Sequence, residues 1–130
     1  MADVEEERIS LREFHGHLGP YVVVGYRMGK AATRILGSGG KRMRAVVKTG
    51  TKPPSSCILD GIQFSTRCTL GKGNIAVLDE GKAEAVFSAD RELTIRLRGD
   101  IKRMIDSENA KDLLWQRISE MTDEELFEVE

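Results

Sequence analysis

Residues 14–29 read Phe14-His15-Gly16-His17-Leu18-Gly19-Pro20-Tyr21-Val22-Val23-Val24-Gly25-Tyr26-Arg27-Met28-Gly29, and the rest of the chain is organised around them. Both histidines of the protein lie here. Glycines let the backbone bend and approach other groups closely. Pro20 rules out a mid-helix or mid-strand position but suits the first turn of a helix. From Pro20 onward, Tyr21, Val24, Met28, Ala31, Ala32 and Ile35 recur at helical spacing, and Gly37 follows as a stop. Val22-Val23-Val24 alone would suit a strand, but the period persists to Ile35 and decides for a helix. Gly25 and Gly29 fall on one face of it. Each costs about 1 kcal/mol of helix stability relative to Ala, so close packing must offset them. The expected neighbour is the sheet or a second helix, from this protomer or another.

Upstream, residues 8–17 read as a short helix or coil, with Ser10 as a cap and Glu13 at the matching capping-box position. After the turn Gly37-Ser38-Gly39-Gly40, Met43 to Thr49 alternates loosely, as a strand does. Lys52-Pro53-Pro54-Ser55-Ser56 is a loop whose serines can cap a helix. Cys57, Ile58, Gly61, Ile62 and Ser65 form one face of that helix, and Cys68 closes it. Gly71-Lys72-Gly73 is a turn. It lacks the leading glycine and trailing Ser or Thr of a phosphate loop, and no dinucleotide fingerprint occurs elsewhere. Three strands then follow: Asn74–Leu78, Ala83–Ser88 and Glu92–Arg98. Their short turns imply antiparallel hairpins. After Gly99 the period is helical again, through Ile101, Met104, Ile105, Ala110, Leu113, Leu114, Ile118 and Met121. Thr122 and Glu125 box a last turn holding Leu126 and Phe127. Trp115 reads as core or interface packing. The order α-β-α-β-β-β-α gives an α+β fold: one mixed sheet covered by helices, with C-terminal helices added.

The 130 residues suit one domain, 1–130. With 40% apolar and 32% charged residues, the composition is that of a folded soluble protein and not a disordered one. The acidic start, Asp3-Val4-Glu5-Glu6-Glu7, is no signal peptide, and no apolar run reaches membrane length. Two leaderless cysteines are expected to stay reduced, which places the protein in the cytoplasm. From Phe14 to Leu59 there is no acidic residue, while Arg27, Lys30, Arg34, Lys41, Arg42, Arg44, Lys48 and Lys52 are basic. The segment either draws an anion or is a solvated face balanced by the acidic tail. No aromatic residues interleave it as a stacking platform, which speaks against nucleic acid.

The soft ligands are few: His15, His17, Cys57 and Cys68. Each pair sits at the edges of expected elements, which suggests one site assembled from two places. Zinc takes such donors, closed in structural sites and open in catalytic ones. An iron–sulfur cluster would need more cysteines than the chain has. Cys57 stands at a helix start, where backbone amides and positive potential favour the thiolate. Asp60, one turn on, can orient a ligand or a bound water. In an extended stretch the two imidazoles point to opposite sides, so only one reaches a given metal unless the chain bends at Gly16. The plainer alternatives are a buried apolar Cys57 and histidines that brace a helix start.

These residues resemble a known family. Phe14 to Pro20, Gly25-Tyr26-Arg27-Met28-Gly29, Cys57, Asp60-Gly61-Ile62-Gln63 and Cys68-Thr69-Leu70-Gly71-Lys72-Gly73-Asn74 are similar to the E-subunit family of formylmethanofuran dehydrogenase. The resemblance spans roughly residues 10–98. It implies an α-β-α-β-β-β core, a transition-metal site and a dimer. The metal positions would be His17 and Cys57, with His15 and Cys68 in second place and Asp60 close by. The metal would be divalent, zinc first, with nickel or iron as alternatives. Two departures matter: many members carry a cysteine where this chain has Gly19, and many add a C-terminal zinc-binding module.

Three functions follow as expectations. The first is a metal-binding accessory to a molybdenum or tungsten formylmethanofuran dehydrogenase-type oxidoreductase in one-carbon metabolism, with oxidoreductase subunits as partners. The second is a self-contained metalloenzyme acting on a small anionic substrate, with Asp60 or His15 moving protons. The third is a non-catalytic interaction domain. A homodimer is expected in each case, because Gly25, Gly29, Val22 and Val23 widen the apolar surface of the first long helix.

Overall fold

In the computed structural model, which describes residues 2–37, 42–107 and 114–130, Pro20 stands at the start of helix α2 (Pro20–Leu36). Gly19 before it is extended, and Gly37 ends the helix with φ of 90°. Tyr21, Val24, Met28, Ala31 and Ala32 are buried as the period requires. Val22 and Val23 are buried as well, so the helix is covered well beyond one stripe.

What covers it is helix α3 (Ile58–Thr66). A Cβ on Gly25 would strike the Ile58 carbonyl, and one on Gly61 would strike the Val22 carbonyl and the Tyr26 nitrogen. One on Gly29 would strike the Ser65 side chain. The glycines thus serve a backbone-to-backbone contact within the chain, and they give no reason for a second copy. Along this seam the numbers rise together on both helices, so α2 and α3 run the same way. Their N-terminal ends therefore lie side by side.

The sheet contains β1 (Arg44–Val47), β2 (Ile75–Val77), β3 (Glu84–Ser88), β4 (Glu92–Leu97) and β5 (Phe127–Val129), in the order β2-β1-β3-β4-β5. It is mixed, as expected. One expectation is corrected. Only β3 and β4 form a hairpin between neighbours in sequence, with Ala85 opposite Ile95. β2 does not turn back onto β3; it lies parallel to β1, with Ala45 opposite Ile75. The reason is α3: a parallel pair needs a crossover connection, and a helix between two strands supplies it. β3 then takes the other side of β1, with Val46 opposite Val86. Ala45, Val47, Ala85, Phe87, Leu93, Ile95 and Leu97 point to the core, where α2 packs on β3 and β4.

Helix α1 (Ala2–His15) is longer than expected, and Ser10 lies inside it, not at its cap. The acidic residues Glu5 and Glu6 lie in the first half of the helix, and buried Leu11 anchors its inner face. After β4 come α4 (Gly99–Ser107), α5 (Leu114–Glu120) and α6 (Asp123–Leu126). Thr122 and Glu125 form the expected capping box. Phe127, placed in that last turn by sequence, instead opens β5 opposite Leu97. Lys41, the turn beyond Gly37, and the helical positions Ala110 and Leu113 lie outside the described residues. Among the described residues no helix is long and apolar enough to cross a membrane.

Candidate functional site

His15 is the last residue of α1. The chain does bend at Gly16, with φ of +107°, a region glycine enters freely. The Gly16 amide donates to the Arg12 carbonyl at 2.7 Å. The bend keeps the two imidazoles on the same side, with ring centroids 4.9 Å apart. His17 is exposed, whereas only 8% of the His15 side chain is. Pro20 then starts α2.

Cys57 arrives from the neighbouring helix start. It ends a short 3-10 turn, Ser55–Cys57, and caps α3. The serines do not cap with their side chains, contrary to expectation. The backbone satisfies itself: the Cys57 amide donates to the Pro54 carbonyl at 3.0 Å, and the Ile58 amide to Ser55 and Ser56 carbonyls. Because the glycine seam sets the two helix starts together, His15, His17 and Cys57 line one cleft of about 190 Å³. Its walls are mostly apolar and include Leu18, Pro20, Pro54 and Ile105.

Asp60 sits in the first turn of α3 and holds His15 by its Nδ1, at 2.5 Å. A carboxylate only accepts, so Nδ1 carries the proton and Nε2 of the neutral ring is the lone-pair side. That Nε2 is buried and has no hydrogen-bond partner; it alone is in this state among the described side-chain polar atoms. Such an orphan costs about 1–3 kcal/mol. Burial pushes the Cys57 thiol up, and the Asp60 carboxylate pushes it further. Both effects oppose the thiolate that a helix start is expected to favour. Tyr21 also lines the cleft, and burial followed by its hydrogen bond to Asp106 at 2.5 Å raises its phenol well above the usual value.

Cys68 is elsewhere. α3 ends at Thr66, with Arg67 left-handed at φ of 68°. Cys68 follows in the core, fully buried, its Sγ donating to the Met43 carbonyl at 3.3 Å. The motif after it is a braced loop. Thr69 donates its amide to Asn74, and Gln63 accepts from the Leu70 amide. Four of the seven described cations of the basic segment are ion-paired. Arg27 and Arg34 bind Asp123 in the acidic tail, Lys30 reaches Glu7, and Lys48 reaches Glu84.

The donor types suit a borderline-soft metal, and a carboxylate behind an imidazole is the usual support for a ligating histidine. Among the described residues, however, no three His, Cys, Asp or Glu side chains converge on one point. A Cβ at Gly19 would lie 3.4 Å from His17 Nε2, so the cysteine that the resemblance puts there would stand beside His17. Residue type and spacing put His15 in second place; its burial and its link to Asp60 are visible only in the fold.

The fold and the cleft together define an α+β domain whose imidazoles and thiol line one cleft beside two parallel helix starts. The chain belongs to the FmdE family: the family model described as "FmdE, Molybdenum formylmethanofuran dehydrogenase operon" matches residues 14–128. It is 34% identical over 110 residues to the "Probable S-adenosyl-L-methionine-binding protein" of Archaeoglobus fulgidus. That similarity covers 77% of this chain but 26% of the relative, so the chain spans about a quarter of the relative's length. The fold matches a "tungsten formylmethanofuran dehydrogenase subunit e (fmde)-like protein" from Syntrophus aciditrophicus, with a TM-score of 0.72 and 20% identity. There it covers 97% of this chain and 70% of the other.

Proposed function

We propose that this domain is a metal-binding module, accessory to a molybdenum or tungsten oxidoreductase of the formylmethanofuran dehydrogenase type. The observation that carries the metal reading is the buried, unpartnered Nε2 of His15 in a cleft shared with His17 and Cys57. Its donors are His17 and Cys57, joined by His15, with Asp60 orienting the His15 ring. The metal is a divalent transition ion, zinc first, nickel or iron next. When bound, it would polarise a ligand or lower the pKa of a bound water. The protein's own part is to present Nε2 with its lone pair free, to give up the Cys57 proton, and to exclude bulk water with Leu18, Pro20 and Ile105.

The accessory role takes its support from the family description and from the name of the Syntrophus protein. An independent enzyme for anionic substrates has fewer cations to draw on, because Arg27, Lys30, Arg34 and Lys48 are already ion-paired and only Arg42, Arg44 and Lys52 of the described basic segment form no ion pair. A cytoplasmic homodimer belongs to the same proposal; its motive is no longer the glycines but the exposed Ile9 and Phe14 on α1. Metal analysis of protein purified without an affinity tag tests the reading. One equivalent of zinc, nickel or iron per chain is expected. No metal, and no uptake of any of the three, would contradict it and leave a non-catalytic interaction domain.

A further inference from the structure

A second cavity, about 300 Å³, opens between α1, α2 and α5, and Leu18 separates it from the cleft by lining both. Its volume reaches the range of small-molecule sites. The floor is apolar: Leu11, Val23 and Trp115 are all buried. The mouth carries two cations, Arg8 and Arg27, and two anions, Glu7 and Glu120. Such a balance disfavours a ligand of strong net charge.

These four side chains are not equally committed. Arg27 donates to the carbonyls of Ile118 and Ser119 and to Asp123. Glu7 accepts from the Tyr26 hydroxyl and pairs with Lys30. Arg8 lies over Trp115, its guanidinium carbon 5.4 Å from the ring centroid. Its ion-pair partner is the exposed Glu5 on the same helix, and an exposed pair of this kind is weak and exchangeable. Glu120 makes no ion pair among the described residues. The mouth therefore offers one cation lying over an aromatic ring and one carboxylate without an ion pair among the described residues, above an apolar floor. A guanidinium has five N–H donors, so Arg8 can reach a ligand carboxylate in place of the exposed Glu5.

We propose that this cavity binds a small zwitterion, an α-amino acid with an apolar side chain or a compound of that class. Its carboxylate meets Arg8, its ammonium meets Glu120, and its body lies against Leu11, Val23 and Trp115. Trp115 is the only tryptophan in the chain, so its emission reports binding directly. The experiment titrates the full chain with L-phenylalanine and L-methionine, then with N-acetyl-L-phenylalanine and L-phenylalanine methyl ester. A saturable change with the free amino acids is expected, weakened about tenfold or more by each blocked analogue, since each removes a charge-assisted contact. Arg8→Gln and Glu120→Gln should each weaken binding to a similar extent, while Glu6→Gln, exposed on the same helix, should not. No saturable change up to about 10 mM, a range that includes weak millimolar binding, would overturn the proposal. So would blocked analogues binding as well as the free amino acids, or an equal loss in Glu6→Gln. The analogues act on the unaltered protein, so the test stands even if a variant fails to fold.

Discussion

Cys57 and Cys68 flank one helix and meet opposite surroundings. Beyond the C-terminal end of α3, Cys68 is fully buried and its thiol has a carbonyl to donate to. The loop after it is braced by Thr69, Asn74 and Gln63. At the N-terminal end, Cys57 is half-buried beside a cleft, and His15 Nε2 is buried with nothing to bind. The same residue type is structural in one place and available in the other. Chemistry here is marked less by the cysteine itself than by unsatisfied polar groups around it.

Removing the seam that creates the cleft should erase this contrast. Gly61→Ala sets a Cβ against the Val22 carbonyl and Tyr26 nitrogen, where only backbone can give way. A loss of about 3 kcal/mol or more is expected in denaturant unfolding, with the cleft lost too. A neutral result would mean that α2 and α3 are further apart than described.

A smaller effect is expected on the other face of the sheet, where the buried Glu84 carboxylate is paired with Arg96 and Lys48. Burial alone would raise the Glu84 carboxyl, but hydrogen bonds from Arg96 and Lys48, at 3.0 and 3.1 Å, outweigh it and hold the group below its usual 4.5. A depressed folded value gives stability that is present above 4.5 and is lost as pH falls through that lower value. Glu84→Gln should cost about 1–3 kcal/mol at neutral pH, and the gap to the parent should close in acid. A gap unchanged by pH in thermal melts would refute the assignment. Asp60→Asn should have the mildest effect. It should leave the fold intact and weaken zinc affinity by about tenfold, as loss of an orienting partner does. Unchanged affinity in a competition titration would show that Asp60 does not support the site.

Much of this is legible in the chain. Pro20, the period to Ile35 and the Gly37 stop mark out α2, and the alternation of Leu93, Ile95 and Leu97 marks out β4. Thr122 and Glu125 announce their box. What the chain does not show is pairing at a distance. β2 reads like its neighbours, and only the crossover through α3 sends it to the outer edge beside β1. Phe127-Glu128-Val129 is too short a run to signal a strand; it becomes one because β4 has a free edge. The serine caps fail because the 3-10 turn lets carbonyls take the amides first. At the site, the ligand-type residues are visible as a set, but residue type alone cannot rank His15 above Cys68. That ranking comes from the Gly16 bend, the Asp60 contact and the core position of Cys68.

The most direct test of the metal proposal is cobalt(II) substitution followed by absorption spectroscopy. The parent protein should take up cobalt and show a thiolate-to-metal charge-transfer band. Cys57→Ser should abolish that band, and Cys68→Ser should keep it. No uptake, or a band that survives Cys57→Ser and is lost in Cys68→Ser, would contradict a metal held at the N-terminal end of α3.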